Sequence, residues 1–269
     1  MNFNGPPSIN PNEQKTNKKE TSRQLRLAVE IQLHFLTRKV SIEGKGNLNL
    51  IPKNKKVIIA SSHISDADMQ LAIKALSKDL DIVVSGKSTN SATIIGKRNY
   101  LPIDYSSTEK SGSGGTFNPE NYDQMQTALD SNKSVLIAAH SPSWGTLPEK
   151  GGKGAAYLAQ MGDYIILPVA SDYQTSEPYQ NGKNDIKMMI ERAPAKVMIG
   201  KPIEFPKIEG FAEYEIISAK RFRGEKLTDE ETAKMVTCSQ AIARNSEIIM
   251  QSLVDMLPKE KRGNHTAME

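Results

Sequence analysis

The feature that most constrains the fold is an alternation, from residue 55 onwards, of short apolar runs with segments of helical periodicity. Runs without charged side chains are typical of strands buried on both faces of a sheet. The predicted strands are Val57–Ala60, Asp81–Ser85, Tyr100–Ile103, Val135–Ala139, Tyr164–Val169 and Lys196–Ile199. The predicted helices are Asp66–Leu80, Asn118–Ser131, Gly154–Met161 and Thr228–Met256, the last opened by a capping box at Thr228 and Glu231. This alternation predicts an α/β domain with a mixed, largely parallel sheet flanked by helices.

The composition excludes several classes of protein. With 38% apolar and 25% charged residues among 269, the chain is neither wholly disordered nor a polytopic membrane protein. Its one cysteine, Cys238, excludes an internal disulfide framework and a cysteine-based metal site. We expect no metal and no other cofactor. A net charge of +4 is too small to indicate nucleic acid as a partner, although it suits an anionic membrane surface.

The N-terminal region is predicted to contain a tail followed by an amphipathic helix. Residues 1–20 are expected to be a disordered tail, 21–263 the folded domain, 264–269 a frayed tail and 106–116 a flexible surface loop. The helix has an apolar face of Leu25, Val29, Leu33, Leu36 and Val40, which Leu27, Ile31 and Phe35 widen. It is shorter than the roughly 20 residues that cross a bilayer, and no secretory signal precedes it. Two interpretations remain, a helix packed on the core and a helix lying on a membrane.

The first candidate for chemistry is the pair His63 and Asp68, which follows an apolar strand and opens a helix. Sites in α/β sheets gather where strands end and helices begin. A carboxylate five residues after a histidine can accept from one imidazole nitrogen, which leaves the other to take a proton from a hydroxyl. The alternative is structural, with Ser65 or Asp66 capping the helix and His63 an ordinary loop residue.

A second candidate follows the strand Val135–Ala139, where His140, Ser141 and Trp144 lie in one loop. Its pattern is similar to the nucleophile elbow of an α/β-hydrolase, with Ser141 as the nucleophile. Pro142 counts against this interpretation because it has no N–H for an oxyanion hole. The triad histidine should also follow the serine, and only His265 does so. Trp144 is predicted to line a pocket.

Two basic segments could bind anions. Lys150 and Lys153 flank glycines at a predicted helix start, where backbone N–H groups and the helix dipole favour negative charge. Lys97 and Arg98 precede a predicted strand and could bind phosphate. The structural alternatives are an ordinary glycine-rich turn and a solvated helix end.

In their order and spacing these segments resemble the motif blocks of the glycerolipid acyltransferase superfamily, whose type is 1-acyl-glycerol-3-phosphate acyltransferase. The resemblance runs from about Val40 to Gly263, and Ser62–Asp68 is similar to the family's His-x4-Asp block with Ser62 in place of the usual Asn. The other blocks that carry it are Gly96–Tyr105, Gly145–Pro148, Lys153–Ala159, Ile166–Ala170, Ile199–Ile203 and Leu257–Gly263.

The resemblance implies an O-acyltransferase of phospholipid synthesis, peripheral on the inner, cytoplasmic face of a membrane. The acyl donor would be a thioester of coenzyme A or acyl carrier protein, and the acceptor a lysophospholipid or related lipid. His63 would be the general base, oriented by Asp68. The residues predicted to contact substrates are Ser65, Lys97, Arg98, His140, Ser141, Trp144, Lys150 and Lys153.

One block departs from the family pattern. The family's Phe-Pro-Glu-Gly-Thr-Arg is replaced by Ala138–Ser143, and Tyr105 stands where an arginine is usual. Losing a guanidinium fork weakens phosphate capture, so the acceptor need not be lysophosphatidic acid, and His140 could be a further catalytic or binding group. Two alternative functions therefore remain, a catalytically inactive lipid-binding relative and a serine hydrolase using Ser141.

Overall fold

The computed structural model describes residues 25–86, 100–102 and 119–265. Within them a single sheet is formed by the strands β1 (Val40–Glu43), β2 (Lys56–Ser61), β3 (Ile82–Gly86), β4 (Tyr100–Pro102), β5 (Ser134–Ala138), β6 (Tyr164–Tyr173) and β7 (Ala195–Ile199). Their order across the sheet is β1-β7-β6-β2-β5-β3-β4. The central strand β2 pairs parallel with both β5 and β6, and β7 runs antiparallel to β6. The sheet is therefore mixed and largely parallel, as predicted.

Helices cover both faces of this sheet. They are α1 (25–36), α2 (Asp68–Leu76), α3 (Pro119–Asp130), α4 (Gly154–Met161), α5 (Asp185–Glu191), α6 (Phe211–Phe222) and α7 (Asp229–Met256). Alternate residues of β2 enter separate cores, with Ile58 and Ala60 packed among α3, α4 and α7. Val57 and Ile59 pack among α1 and α2 on the other face. Burial on both sides explains why the strand is a continuous apolar run.

Most predicted elements are present, with ends shifted by a few residues. The predicted helix Gly154–Met161 has those bounds in the structure, and β6 continues four residues beyond its predicted end to Tyr173. The capping box is confirmed, since Thr228 accepts from the N–H of Glu231 and the Glu231 side chain accepts from the N–H of Thr228. No sequence pattern predicts β1, α5 or α6.

Helix α1 packs on the core through one face and exposes a second apolar strip. Leu25, Val29, Leu33 and Leu36 are buried, which confirms that the helix packs on the core. The prediction that a second set of side chains widens this buried face is wrong, because these side chains point outward. Those residues are Leu27, Ile31 and Phe35, each more than half exposed. Val40 lies beyond the helix and begins β1.

Several predictions concern residues outside the described ranges, namely the tail 1–20, the loop 106–116 and the end of the tail 264–269. His265 is described, and its Nε2 donates to the carbonyl of Pro148 over 2.7 Å. In the part of the chain that the structure describes, we find no helix with the length and apolar character needed to span a membrane.

Candidate active site at the carboxyl ends of the central strands

The candidate site forms where β2 and β5 end side by side. The two strands are parallel neighbours with Ser61 opposite Ala138, so the segments that follow them leave the same edge of the sheet. Residues 62–67 lead from β2 into α2, and residues 139–148 follow β5. Ligands of open α/β sheets bind at this carboxyl edge. The topology therefore brings together the segments of His63 and His140.

The imidazole of His63 is held by a backbone carbonyl. Its Nδ1 lies 3.4 Å from the carbonyl oxygen of Ser65. A carbonyl only accepts, so Nδ1 carries the proton and Nε2 keeps its lone pair. Among the described residues Nε2 has no hydrogen-bond partner. The ring of Trp144 packs edge-on against the imidazole at a centroid distance of 6.2 Å. This arrangement suits His63 to accept a proton.

Asp68 forms hydrogen bonds with the turn that carries His63 and none with the His63 imidazole. The Oδ2 atom accepts from the backbone N–H groups of Ile64 at 2.8 Å and Ser65 at 3.3 Å, and from the hydroxyl of Ser62 at 3.3 Å. The Oδ1 atom is buried and has no hydrogen-bond partner among the described residues. None of the hydrogen bonds in the described ranges joins Asp68 to His63. The contact expected from the spacing is thus replaced by the Ser65 carbonyl, a backbone group.

The side chain of Ser65 belongs to the start of α2. Its buried hydroxyl accepts from the N–H of Ala67 over 3.1 Å. The neighbouring Asp66 carboxylate accepts from the N–H of Asn181 over 2.7 Å, which ties the turn to the segment after β6. Helix α2 begins with Ala67 as its N-cap and has no side-chain cap, so the expected capping by Ser65 or Asp66 is wrong, although both side chains hold the turn before the helix. The substrate contact predicted for Ser65 stays a prediction.

His140 is buried, with 3% of its surface exposed, and both of its ring nitrogens are engaged. Its Nε2 accepts from the backbone N–H of His63 over 3.0 Å. Its Nδ1 lies 2.8 Å from the carbonyl oxygen of Ser141 and therefore carries the proton. The structure thus places His140 behind the backbone of the candidate base; its predicted contact with substrate stays a prediction.

Two backbone hydrogen bonds extend this junction between the loops. The N–H of Ser143 donates to the carbonyl of His63 over 3.1 Å, and that of Gly145 donates to Ile64 over 2.9 Å. Gly145 has a φ of 97°, a conformation that a residue without a Cβ adopts at little cost. The resulting turn presents the partly exposed Trp144 beside His63. That Trp144 lines a substrate pocket stays a prediction.

Burial sets the protonation of the three ionisable groups at this junction. It lowers the pKa of His63 below the usual 6.5, against the opposing charge of Asp66. It lowers the pKa of His140 to about 4. It raises the pKa of the Asp68 carboxyl well above its usual range, although the N–H groups of the turn favour the charged form. Both imidazoles are therefore neutral at physiological pH.

The C-terminal segment packs against the loop after β5, a contact that no local sequence pattern predicts. The N–H of Leu147 donates to the carbonyl of Lys261 over 2.8 Å, and His265 is bonded to the next carbonyl along, that of Pro148. Gly263 has a φ of 62° and lies so close to Leu147 that a Cβ would collide with its carbonyl oxygen. A close backbone approach therefore requires glycine there.

This docking brings a cation to the back of the site. Lys261 is near enough for its charge to lower the pKa of Asp68 and so to oppose the effect of burial. A contact between residues more than a hundred positions apart leaves no local sequence pattern. The only sequence signal for Lys261 is the resemblance of Leu257–Gly263 to a family block.

The glycine and lysine segment before α4 packs against α7. An added Cβ at Gly151 would collide with the side chain of Met250. The ammonium of Lys153 donates to the hydroxyl of Ser239 on the same helix over 2.8 Å, and Lys150 is exposed. Close packing against α7 is therefore sufficient to explain the glycine at position 151, without an anion bound there. Anion binding by Lys150 and Lys153 stays a prediction.

The geometry around Ser141 counts against the hydrolase alternative. The nearest imidazole, His140, directs Nδ1 to the carbonyl of Ser141 and Nε2 to the backbone of His63, so it has no nitrogen left to activate the Ser141 hydroxyl. Pro142 offers no N–H to an oxyanion. Ser141 itself is exposed, and its contact with substrate stays a prediction.

Two further expectations concern a metal site and the second basic segment. In the ranges 25–86, 100–102 and 119–265, no group of three or more His, Cys, Asp or Glu side chains is placed to hold a metal ion. Lys97 and Arg98, the predicted phosphate contacts of the second basic segment, lie outside these ranges.

Comparison with known proteins finds similarity among solved structures. No protein-family model matches the chain, and no curated protein matches it. Among solved structures, it is similar to the 1-acyl-sn-glycerophosphate (LPA) acyltransferase PlsC from Thermotoga maritima, with a TM-score of 0.49 and 12% sequence identity over 78% of this chain and 80% of that chain.

Proposed function

We propose that the protein is an acyltransferase that moves a fatty acyl group from an acyl thioester to the hydroxyl of a lysophospholipid or a related lipid. The observation that carries the proposal is His63, a neutral imidazole with Nδ1 on the Ser65 carbonyl and Nε2 left to accept a proton. Many reactions use such a base. The ordered sequence blocks around His63, which resemble those of the glycerolipid acyltransferases, favour acyl transfer among them.

In the proposed reaction His63 acts as general base and then as general acid. Its Nε2 accepts the proton of the acceptor hydroxyl while the hydroxyl oxygen attacks the thioester carbonyl carbon. The C–S bond breaks, and the imidazolium returns the proton to the departing sulfur. The products are a lipid ester and the free thiol of coenzyme A or of acyl carrier protein. No acyl-enzyme is required, because a thioester is already an activated acyl donor.

Asp68 supports this base indirectly. Its Oδ2 fixes the N–H groups of Ile64 and Ser65, and the carbonyl of Ser65 in turn faces Nδ1 of His63. A base held in one orientation before the substrate arrives avoids part of the entropic cost of the reaction. We therefore assign Asp68 a positioning role, which replaces the direct contact expected from the spacing.

The substrate contacts are proposed from side-chain chemistry. Trp144, beside His63, offers an apolar surface to an acyl chain. A lysine binds phosphate as a point charge without the bidentate geometry of arginine. The loss of the arginines that the family carries near Ser143 and Tyr105 favours an acceptor other than lysophosphatidic acid. The side chains proposed to contact donor or acceptor are Lys97, Arg98, Ser141, Lys150 and Lys153.

We also propose that the exposed strip of α1 contacts an anionic membrane surface. Helix α5 carries two strongly exposed isoleucines, Ile186 at 76% and Ile190 at 80%. The C-terminal ends of the two helices meet, since the guanidinium of Arg192 donates to the carbonyl of His34 over 2.8 Å. Arg38 is exposed just beyond α1 and can pair with lipid phosphate. Burial of such side chains in the lipid interface favours binding.

The experiment is to measure thiol release from long-chain acyl-coenzyme A by the purified protein, with and without a panel of lysolipids. Release that depends on a lysolipid, together with the acylated product, supports the acyltransferase. Release that is independent of every acceptor would instead indicate a thioesterase. If coenzyme A thioesters give no release, acyl carrier protein is tested as donor, and its failure as well would leave a lipid-binding protein.

A further inference from the structure

The backbone of His63 is bonded on both sides to the loop after β5. Its N–H donates to Nε2 of His140 over 3.0 Å, and its carbonyl accepts from the N–H of Ser143 over 3.1 Å. In the first of these hydrogen bonds the acceptor is a side-chain nitrogen, whereas in a sheet it would be a backbone carbonyl. His140 thus extends the pairing of β2 and β5 by one step beyond the last strand residues.

The orientation of the His140 ring is itself fixed. Its Nδ1–H faces the carbonyl of Ser141 at 2.8 Å, with the hydroxyl of Ser143 at 3.5 Å. That hydroxyl donates to the carbonyl of Thr146 over 2.7 Å, so it offers a lone pair to Nδ1. These contacts set the tautomer in which Nδ1 is protonated and Nε2 accepts. The ring is buried, which suits a structural acceptor better than a group that meets substrate.

We propose that His140 is a positioning residue for the candidate base, and that its Nε2 fixes the peptide plane from which the His63 imidazole projects. The proposal rests on the proposed function. The imidazole is held at Nδ1 by the Ser65 carbonyl, the turn by Asp68 and the His63 peptide by His140. Loss of the third constraint lets the peptide rotate and moves Nε2 away from the acceptor hydroxyl.

Two substitutions separate the two ring nitrogens of His140. In His140→Gln the amide oxygen can lie where Nε2 lies, so the variant keeps the acceptor for the N–H of His63. In His140→Asn the shorter amide reaches only the Nδ1 position, so the variant keeps the polar contact with Ser141 and loses that acceptor. The two variants introduce the same chemical group and differ in reach.

The expected result is a selective loss of turnover. His140→Asn should lower kcat by about 10- to 100-fold, the size expected when a reacting group is misplaced by about 1 Å, while KM changes little. His140→Gln should retain most of the wild-type kcat. Thermal melting of both variants shows whether each remains folded under the assay conditions.

A second readout does not depend on turnover. Diethyl pyrocarbonate modifies accessible neutral imidazoles, and the tryptic peptide 57–74 contains His63 as its only histidine. The rate of His63 modification, followed by mass spectrometry of that peptide, should rise several-fold in His140→Asn and stay near the wild-type rate in His140→Gln.

The proposal is overturned if folded His140→Asn matches the wild type in both kcat and the modification rate, or if folded His140→Gln fails as fully as His140→Asn. If His140→Asn does not fold, the kcat and modification rate of His140→Gln, compared with those of the wild type, test the proposal. Failure of the proposed function is a separate result, because the wild type itself would then show no lysolipid-dependent thiol release, whereas the modification rates could still follow the predicted order.

Discussion

The Oδ2 atom of Asp68 lies 2.8 Å from the backbone nitrogen of Ile64 and accepts its N–H, while Oδ1 of the same carboxyl is buried without a partner among the described residues. Oδ2 therefore stabilises the turn, whereas Oδ1 forms no hydrogen bond with the described residues. A fully buried carboxyl with one idle oxygen favours its neutral form, which agrees with the raised pKa of Asp68.

Asp68→Asn should keep the turn and remove the titration. The amide oxygen can still accept from Ile64 and Ser65, so we expect most of the acyl-transfer activity to remain. Because the folded-state pKa is raised above 3.8, the wild-type free energy of unfolding falls as the pH rises from 3.8 through that raised value. The Asn variant should lack this fall. Thermal melts of both proteins over that pH range measure it.

Asp68→Ala is the matched disruptive change. It leaves the N–H groups of Ile64 and Ser65 without their acceptor, at a cost of about 1–3 kcal/mol for each one that stays buried and unsatisfied. We expect both stability and activity to fall. A folded Asp68→Asn protein as inactive as His63→Ala would contradict the indirect role, because it would mean that the carboxylate charge itself is needed.

The pH dependence of kcat/KM should report the neutral form of His63. Burial lowers the pKa of this imidazole, so activity should rise with pH along an acid limb whose midpoint lies below 6.5. The charge of Asp66 opposes that shift. Asp66→Asn, which keeps an acceptor for the N–H of Asn181, should move the midpoint lower still. A midpoint above 6.5, or one that Asp66→Asn raises, is the contrary outcome.

Ser141→Ala should leave acyl transfer close to the wild-type rate. The Ser141 hydroxyl is exposed and has no imidazole to activate it, so a fluorophosphonate probe should not label the protein. The predicted substrate contact of Ser141 would show as a change in KM. Stoichiometric labelling that Ser141→Ala abolishes would restore the hydrolase alternative.

Membrane binding should depend on the outward faces of α1 and α5. Ile31→Glu and Ile190→Glu each place a charge where an apolar side chain is exposed, so both should weaken cosedimentation with vesicles that contain anionic phospholipid. Ile248→Glu, at a half-exposed isoleucine of α7 in the other helical layer, is the control. Equal binding by all three variants and the wild type would argue against this surface.

The sheet could be predicted from the sequence because its central strands are buried on both faces. The apolar run of β5 has no helical or alternating periodicity, and the capping box of α7 marks its first turn. By contrast, α5 buries only Met188 and exposes two isoleucines, so it has no apolar face to detect. The edge strand β1 is short and mostly exposed, and its sequence carries no pattern of burial.

The sequence could predict that the segments of His63 and His140 meet at one edge of the sheet, but it could not predict their hydrogen bonds. The spacing of His63 and Asp68 indicates that the two are near one another, but the partner of Nδ1 is a backbone carbonyl, which every residue possesses and no sequence pattern reveals. The acceptor role of His140 has the same origin, since it depends on the register of β2 and β5. Contacts of Lys261 and His265 require the whole chain to be folded.

The measurement that tests the central claim most directly is acceptor-dependent thiol release by wild type, His63→Ala and His34→Ala in parallel. His34 is exposed on α1 away from the candidate site and controls for the loss of an imidazole. Removing a general base should lower the rate by about 100- to 10,000-fold in His63→Ala, with His34→Ala unchanged. Undiminished acyl transfer by a folded His63→Ala protein would contradict the account.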